Sequence, residues 1–204
     1  MTMTTTETPR IWIADLAAYN NGVLHGRWVD ATDAAELTEA KDQILASSPE
    51  PGAEEWAIHD YDGFGSDLTY KLGEYASFDT IAKLGALIEE YGDEFLAYVS
   101  AVEPAPEDID ERSFQEARRG AWDSEADWAR DRVESLGYEG VQPGEYVPKD
   151  DRGWSSSDGA IDVIDLLLNH LDLDMVARDC SANGEVDFAT VNGTVYAFDP
   201  NAGR

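Results

Sequence analysis

The sequence predicts an α+β chain of three small units, and three patterns predict it. Apolar-alternating runs with one amphipathic helix lie near the start, two helical stripes occupy the middle, and helices with an Asn-Gly hairpin signal close the chain. The expected boundaries are a loose Thr-rich tail over 1–8, an N-terminal α+β unit over 9–65, a helical middle unit over 66–103, and a C-terminal α+β unit over 104–204.

In the first unit, Ile11–Leu16 and Val23–Val29 read as strands joined by Tyr19-Asn20-Asn21-Gly22, a turn in which Gly22 takes positive φ. Ala34–Leu45 reads as a helix capped by Thr32 or Asp33, with Leu37, Ala40 and Ile44 as its inner stripe. Pro49–Gly52 ends it, and Trp56–Tyr61 reads as a further strand.

In the middle unit, Ser77 caps a helix over Phe78–Tyr91 whose inner face is Phe78, Ile81, Leu84 and Ile88, with Gly92 at its end. Asp93 caps a second helix, Glu94–Val102, closed by Pro104 and Pro106. A short acidic linker from Glu103 (EPAPEDIDE) then leads to a helix after Ser124, where Ala126, Ala129, Val133 and Leu136 share a face, with Gly137 beyond. Residues 139–159, rich in Gly, Pro, Ser and charge, read as a long loop, followed by a helix over Ile161–Leu171 with Ile161, Ile164, Leu168 and Leu171 inward. Val186–Ala189 and Thr194–Phe198 around Asn192-Gly193 give a type I′ hairpin signal. There is no internal repeat.

A hydrophobic fraction of 43% with 10% aromatic residues can build packed cores, so global disorder is a poor reading. The charge is unusual. There are 43 acids against 14 bases, a formal net charge of −29. Residues 1–68 carry 13 acids and 3 bases, residues 69–136 carry 17 and 7, and residues 137–204 carry 13 and 4. The excess is therefore spread along the whole chain. Such a coat repels nucleic acid and anionic membrane, attracts basic protein surfaces, and works against the compact state. At one charge per ~1.7 Å of duplex axis, 29 charges match about 49 Å, or roughly 14 base pairs.

Two helices show the pattern. Opposite the apolar stripe of Ile161–Leu171, Asp158, Asp162 and Asp165 stack as one acidic ridge. Glu89, Glu90, Asp93 and Glu94 bunch within six residues with no base among them. One such ridge alone is usually a solvated helix face; several, with little lysine, ask for more.

Catalytic and metal patterns are missing. His25, His59 and His170 form no H-E-x-x-H pair and have no C-x-x-C partner. His59 stands beside Asp60 and Asp62, but neighbouring strand residues face opposite ways, so a structural role is the better reading. Asp60-Tyr61-Asp62-Gly63 begins like a calcium loop and lacks its later ligands. Neither a nucleophile elbow, a P-loop nor a dinucleotide fingerprint occurs. Cys180, the single cysteine, allows no intrachain disulfide, favours an intracellular home, and reads as a small apolar filler. The polar Met1–Thr8 is not expected to be a signal peptide, and no apolar run reaches membrane-span length. The expectation is a cytoplasmic protein that is not an enzyme, with no cofactor, no metal, no nucleic-acid ligand and no membrane contact.

Several collinear stretches resemble the ArdA antirestriction family. Pro9–Asp30 (PRIWIADLAAYNNGVLHGRWVD) resembles the family's opening, and Glu54–Tyr75 its next block with the I-H-D-Y core and G-E-Y. Ser113–Gly137 is similar to its F…G…S…A…G helix, and Leu171–Cys180 (LDLDMVARDC) to its late block with A-R-D. His170 and Leu173 stand where the family usually has tyrosines, and Cys180 where it has leucine. The resemblance implies an elongated protein of three units that dimerises largely through the C-terminal unit. It also implies a curved run of carboxylates resembling bent B-form DNA, which occupies the DNA groove of type I restriction–modification enzymes. Family members usually travel on mobile genetic elements. The acids expected to form that surface are Asp62, Glu74, Glu89, Glu90, Asp93, Glu94, Asp123, Glu125, Asp127, Asp131, Asp158, Asp162, Asp165, Asp172 and Asp174. The segment expected to correspond to the antirestriction block carries Asp172, Asp174, Arg178 and Asp179.

Two other classes share parts of this composition. A halophile's binding or scaffold protein is also acid-rich and lysine-poor, as here with Lys41, Lys71, Lys83 and Lys149, and stability at low salt separates the two. A carboxylate-using hydrolase would need a framed site, and the sequence frames none.

Overall fold

The protein is described by a computed structural model covering residues 8–138, 168 and 170–202. Its described residues form two compact units, one reaching Arg118 and including Asn201 and Ala202, the other within Arg119–Pro200. The architecture is α+β, as expected, with a three-stranded sheet near each end of the chain.

The first sheet has the order β2-β1-β3, built from β1 (Arg10–Asp15), β2 (Gly26–Asp30) and β3 (Trp56–Asp62), all antiparallel. Alternation sends Ile11 and Ile13 of the central strand into the core, where both are fully buried. A five-residue helix, α1 (Leu16–Asn20), replaces the last expected strand residue and the start of the turn. Asp15 causes this, because its buried carboxylate accepts the Ala17 and Ala18 N–H groups at 2.9 and 3.2 Å. The expected strand from Val23 consequently begins only at Gly26.

Helix α2 (Ala34–Ala46) is capped by Asp33, which accepts from Ala35 N and Glu36 N, and buries the expected Leu37, Ala40 and Ile44. It packs on β1, β2 and α4 (Phe78–Tyr91). Ser77 caps α4 as expected. Gly85 of α4 lies so close to the Ala31 carbonyl that a Cβ there would stand 2.0 Å from the oxygen. Only a glycine permits that approach. Helix α5 (Asp93–Val102) packs on α4 and on α3 (Gly65–Leu72), a helix with no side-chain cap that the sequence reading did not anticipate.

At the end of the expected linker another helix begins, α6 (Glu111–Ala117), started by a reciprocal cap between Asp110 and Ser113. Its Phe114 is buried against Phe95, Tyr98 and Tyr91.

The second sheet has the order β4-β6-β5, from β4 (Arg118–Trp122), β5 (Asp187–Val191) and β6 (Thr194–Phe198). Asn192 and Gly193 have φ of 51° and 83°, the pair of positive values a type I′ turn demands. Helix α7 (Glu125–Tyr138) starts at Ser124 and runs through Gly137, which was expected to lie beyond it. It packs on α8 (Leu173–Ala182), a helix not anticipated from sequence, around Trp128, Ala129, Leu173, Ala177, Val186 and Ala197. Of the helix expected over Ile161–Leu171, residues 161–167 and 169 lie outside the described residues, as do residues 1–7 of the tail and the loop 139–159. Leu171, expected on that helix's inner stripe, is instead exposed in the bend before α8.

Candidate functional site: an acidic surface

Among the described residues, Asp15 is the only buried charged side chain, and most other carboxylates are exposed. The acidic excess of the described residues is therefore a surface property of both units. The expected residues divide into groups that the structure uses differently.

Glu89 and Glu90 are exposed in the last turn of α4, where Glu89 also accepts the Thr8 hydroxyl at 3.2 Å. Asp93 and Glu94, in the first turn of α5, are half-buried. Glu94 takes two hydrogen bonds from Arg118, Nε at 3.0 Å and Nη2 at 2.7 Å, with its side chain only 16% exposed. The cluster that has no base in sequence thus acquires one in space, and the guanidinium also lies over the Phe114 ring. Asp62 likewise pairs with Arg10 at 2.5 Å. Glu74 is exposed, while its backbone carbonyl accepts the Ile58 N–H.

In the second unit, Asp123, Asp127 and Asp131 are exposed and Glu125 is half-buried. Asp127 accepts the Ser124 hydroxyl, and Asp131 accepts the Trp122 indole N–H at 2.6 Å, so both help to set α7 in place. Asp172 caps α8 by accepting from Met175 N at 3.1 Å. Asp174, Arg178 and Asp179 are exposed on that helix, and Arg178 donates to the Asp174 carbonyl at 3.0 Å. Asp158, Asp162 and Asp165 lie outside the described residues.

The sequence reading missed the outer face of α2. Glu36, Glu39 and Asp42 are exposed there, opposite the buried stripe, and Glu39 and Asp42 line a shallow, open surface with Ala35, Thr38, Gln43 and Ala46. The signal was available, since a stripe at Leu37, Ala40 and Ile44 leaves positions 36, 39 and 42–43 pointing outward. Also missed were the exposed acids around α6, among them Glu107, Asp108, Asp110 and Glu111. Asp110 is held below the usual carboxylate range, first by the Ser113 backbone N–H and then by the Ser113 hydroxyl. The Tyr91 hydroxyl, which donates to Glu111 at 2.8 Å, is pushed up by that bond.

Several bases serve as fasteners. Lys71 Nζ donates to the Pro104 carbonyl at 3.1 Å and Lys83 Nζ to the Glu107 carbonyl at 3.3 Å. Arg119 pairs with Asp199, and Lys41 with Asp42 at 2.9 Å. No group of three or more His, Cys, Asp or Glu side chains among the described residues could hold a metal ion. No helix there is long and apolar enough to cross a membrane. The Cys180 thiol is pushed up, chiefly by burial and then by Glu185, which disfavours the thiolate.

The fold and surface define a packed α+β protein whose charge is displayed outward from both units. The chain belongs to the ArdA antirestriction protein family, whose sequence model matches residues 11–195. A comparison with curated proteins returned no match.

Proposed function

We propose that this antirestriction protein works as a DNA mimic, occupying the DNA-binding groove of a type I restriction–modification enzyme and doing no chemistry of its own. The observation that carries this reading is the outward display of carboxylates on both units, with Lys71, Lys83, Arg118 and Arg119 engaged in holding the fold. A groove built to bind phosphates attracts such a surface. Action in the cytoplasm follows from the location of that target.

The test is a gel-shift titration of a type I restriction enzyme with labelled duplex DNA and the protein. The expected result is mutual displacement that weakens as salt rises. An enzyme holding DNA and protein together, with neither displacing the other, would sink the proposal. A homodimer belongs to the same reading, since two chains would carry charge for about 28 base pairs at the phosphate density of DNA. Sedimentation at micromolar concentration checks it, and a monomer alone would count against it.

A further inference from the structure

A mimic that offered only carboxylates would copy the phosphates of DNA and nothing else. The first sheet has a face that does more. Arg27, opposite Ile13, donates to Gln43 of α2, so α2 covers the side of the sheet that holds Ile11 and Ile13. The other side carries two cross-strand rows. Trp28, Trp12 and Asp60 make one, and Asp30, Arg10 and Asp62 make the next. Trp12 and Trp28 meet edge to face at 5.8 Å, Trp28 is 36% exposed, and Asp30 and Asp60 are exposed.

Arg10 occupies part of this face. Its guanidinium carbon lies 5.5 Å from the centre of the Trp28 ring while Nη2 reaches Asp62 at 2.5 Å. A guanidinium seated on an indole and tied to a carboxylate is a combination that suits arginine better than lysine, because arginine is planar, weakly hydrated and forked. The Arg10 side chain is itself 41% exposed, so its contacts with Trp28 and Asp62 are open to exchange with solvent.

The geometry points to this face as an arginine receptor: an arginine from the partner's basic surface takes the seat over Trp28, pairs with Asp62, and Arg10 swings out. The charge of −29 and the flanking Asp30, Asp60 and Asp62 make a basic occupant the complementary one. The inference rests on the DNA-mimic reading for the identity of the partner, since grooves that bind DNA are rich in arginine.

Oligoarginine and oligolysine of equal length, titrated against the full chain at one ionic strength, test it directly. The wild type should prefer arginine by roughly two- to fivefold, the worth of an exposed cation–π contact. Trp28→Thr, which keeps every carboxylate and a strand-forming residue, should bring the ratio toward unity. Arg10→Ala should raise it by vacating the seat, which keeps the test open if the tryptophan variant unfolds. Asp60→Asn should weaken both peptides. Equal binding of the two peptides by the wild type, or a preference unchanged in folded Trp28→Thr, overturns the receptor. So does a Trp28→Thr protein that merely loses self-association with its arginine preference intact, which would make the face a contact between copies. A wild type that fails to displace DNA from the restriction enzyme, yet keeps a Trp28-dependent preference, would refute mimicry and leave the receptor standing.

Discussion

Replacing Glu94 and Glu90 separately by glutamine should separate architecture from surface charge within one short stretch. Glu94→Gln removes the charged acceptor of two Arg118 hydrogen bonds at 3.0 and 2.7 Å and leaves a half-buried guanidinium without its carboxylate. Hydrogen bonds to charged groups are worth about 1.5–3 kcal/mol, and the Arg118 side chain is 37% exposed, so solvent screening reduces the expected loss to ~1–2 kcal/mol. At about 2–4 °C per kcal/mol for a chain of this size, the melting temperature should fall by roughly 2–8 °C. Glu90 is exposed at the end of α4, so Glu90→Gln should leave stability within about 0.5 kcal/mol. Inhibition should behave differently. An exposed pair contributes ~0.2–1 kcal/mol, so Glu90→Gln alone should weaken inhibition by less than about tenfold. Joint neutralisation of Glu89 and Glu90 should weaken it further and flatten its salt dependence. The assays are thermal melting and a restriction-inhibition titration on the same preparations. A Glu94→Gln protein that melts like wild type would refute the structural role of the Arg118 pair. Abolition of inhibition by Glu90→Gln in a folded protein would refute distributed mimicry.

Added sodium chloride should raise the melting temperature by screening self-repulsion while weakening inhibition over the same range; a melting temperature that fell with moderate salt would contradict the first trend. Full unfolding at low salt would instead favour a salt-adapted surface without mimicry. Gly85→Ala should destabilise by about 1–3 kcal/mol, because the new methyl cannot share space with the Ala31 carbonyl, and a melt equal to wild type would refute that contact. Asp110, held below its ordinary value of 3.8 in the fold, contributes stability that is present above that value and lost as pH falls through the lower folded value. Asp110→Ala should therefore melt below wild type near neutral pH, with the gap closing only below pH 3.8; a gap independent of pH would overturn the assignment.

Several local signals were legible. Ser77 and Gly92 bracket α4, Asp33 starts α2, and Asn192-Gly193 turns the last hairpin, each through chemistry confined to a few residues. Strand β4 was not legible, because Arg118–Trp122 has little apolar alternation and is held by pairing with β6, which lies far along the chain. Helix α6 begins where an acidic stretch ends, and its cap, Asp110 with Ser113, is masked by that acidic composition. The acidic surface was legible as a quantity, since −29 has nowhere to go but outward. Which acids remain available was not. Glu94 meets Arg118 across 24 residues and Asp62 meets Arg10 across 52, and no spacing rule reaches that far.

The tethering of the segment between α5 and α6 by Lys71 and Lys83 has an engineering consequence. A designer wishing to make the coat more negative would first think of deleting the few cations. Those two lysines hold the Pro104 and Glu107 carbonyls, and losing either would loosen the chain that leads into α6. Extra charge is better introduced at neutral outward positions of α2 such as Ala35, Thr38 and Ala46, where the surface is open. The protein's remaining capacity for acidity thus lies in its uncharged surface residues, and Lys71 and Lys83 mark a floor below which the basic count cannot fall without cost to the fold.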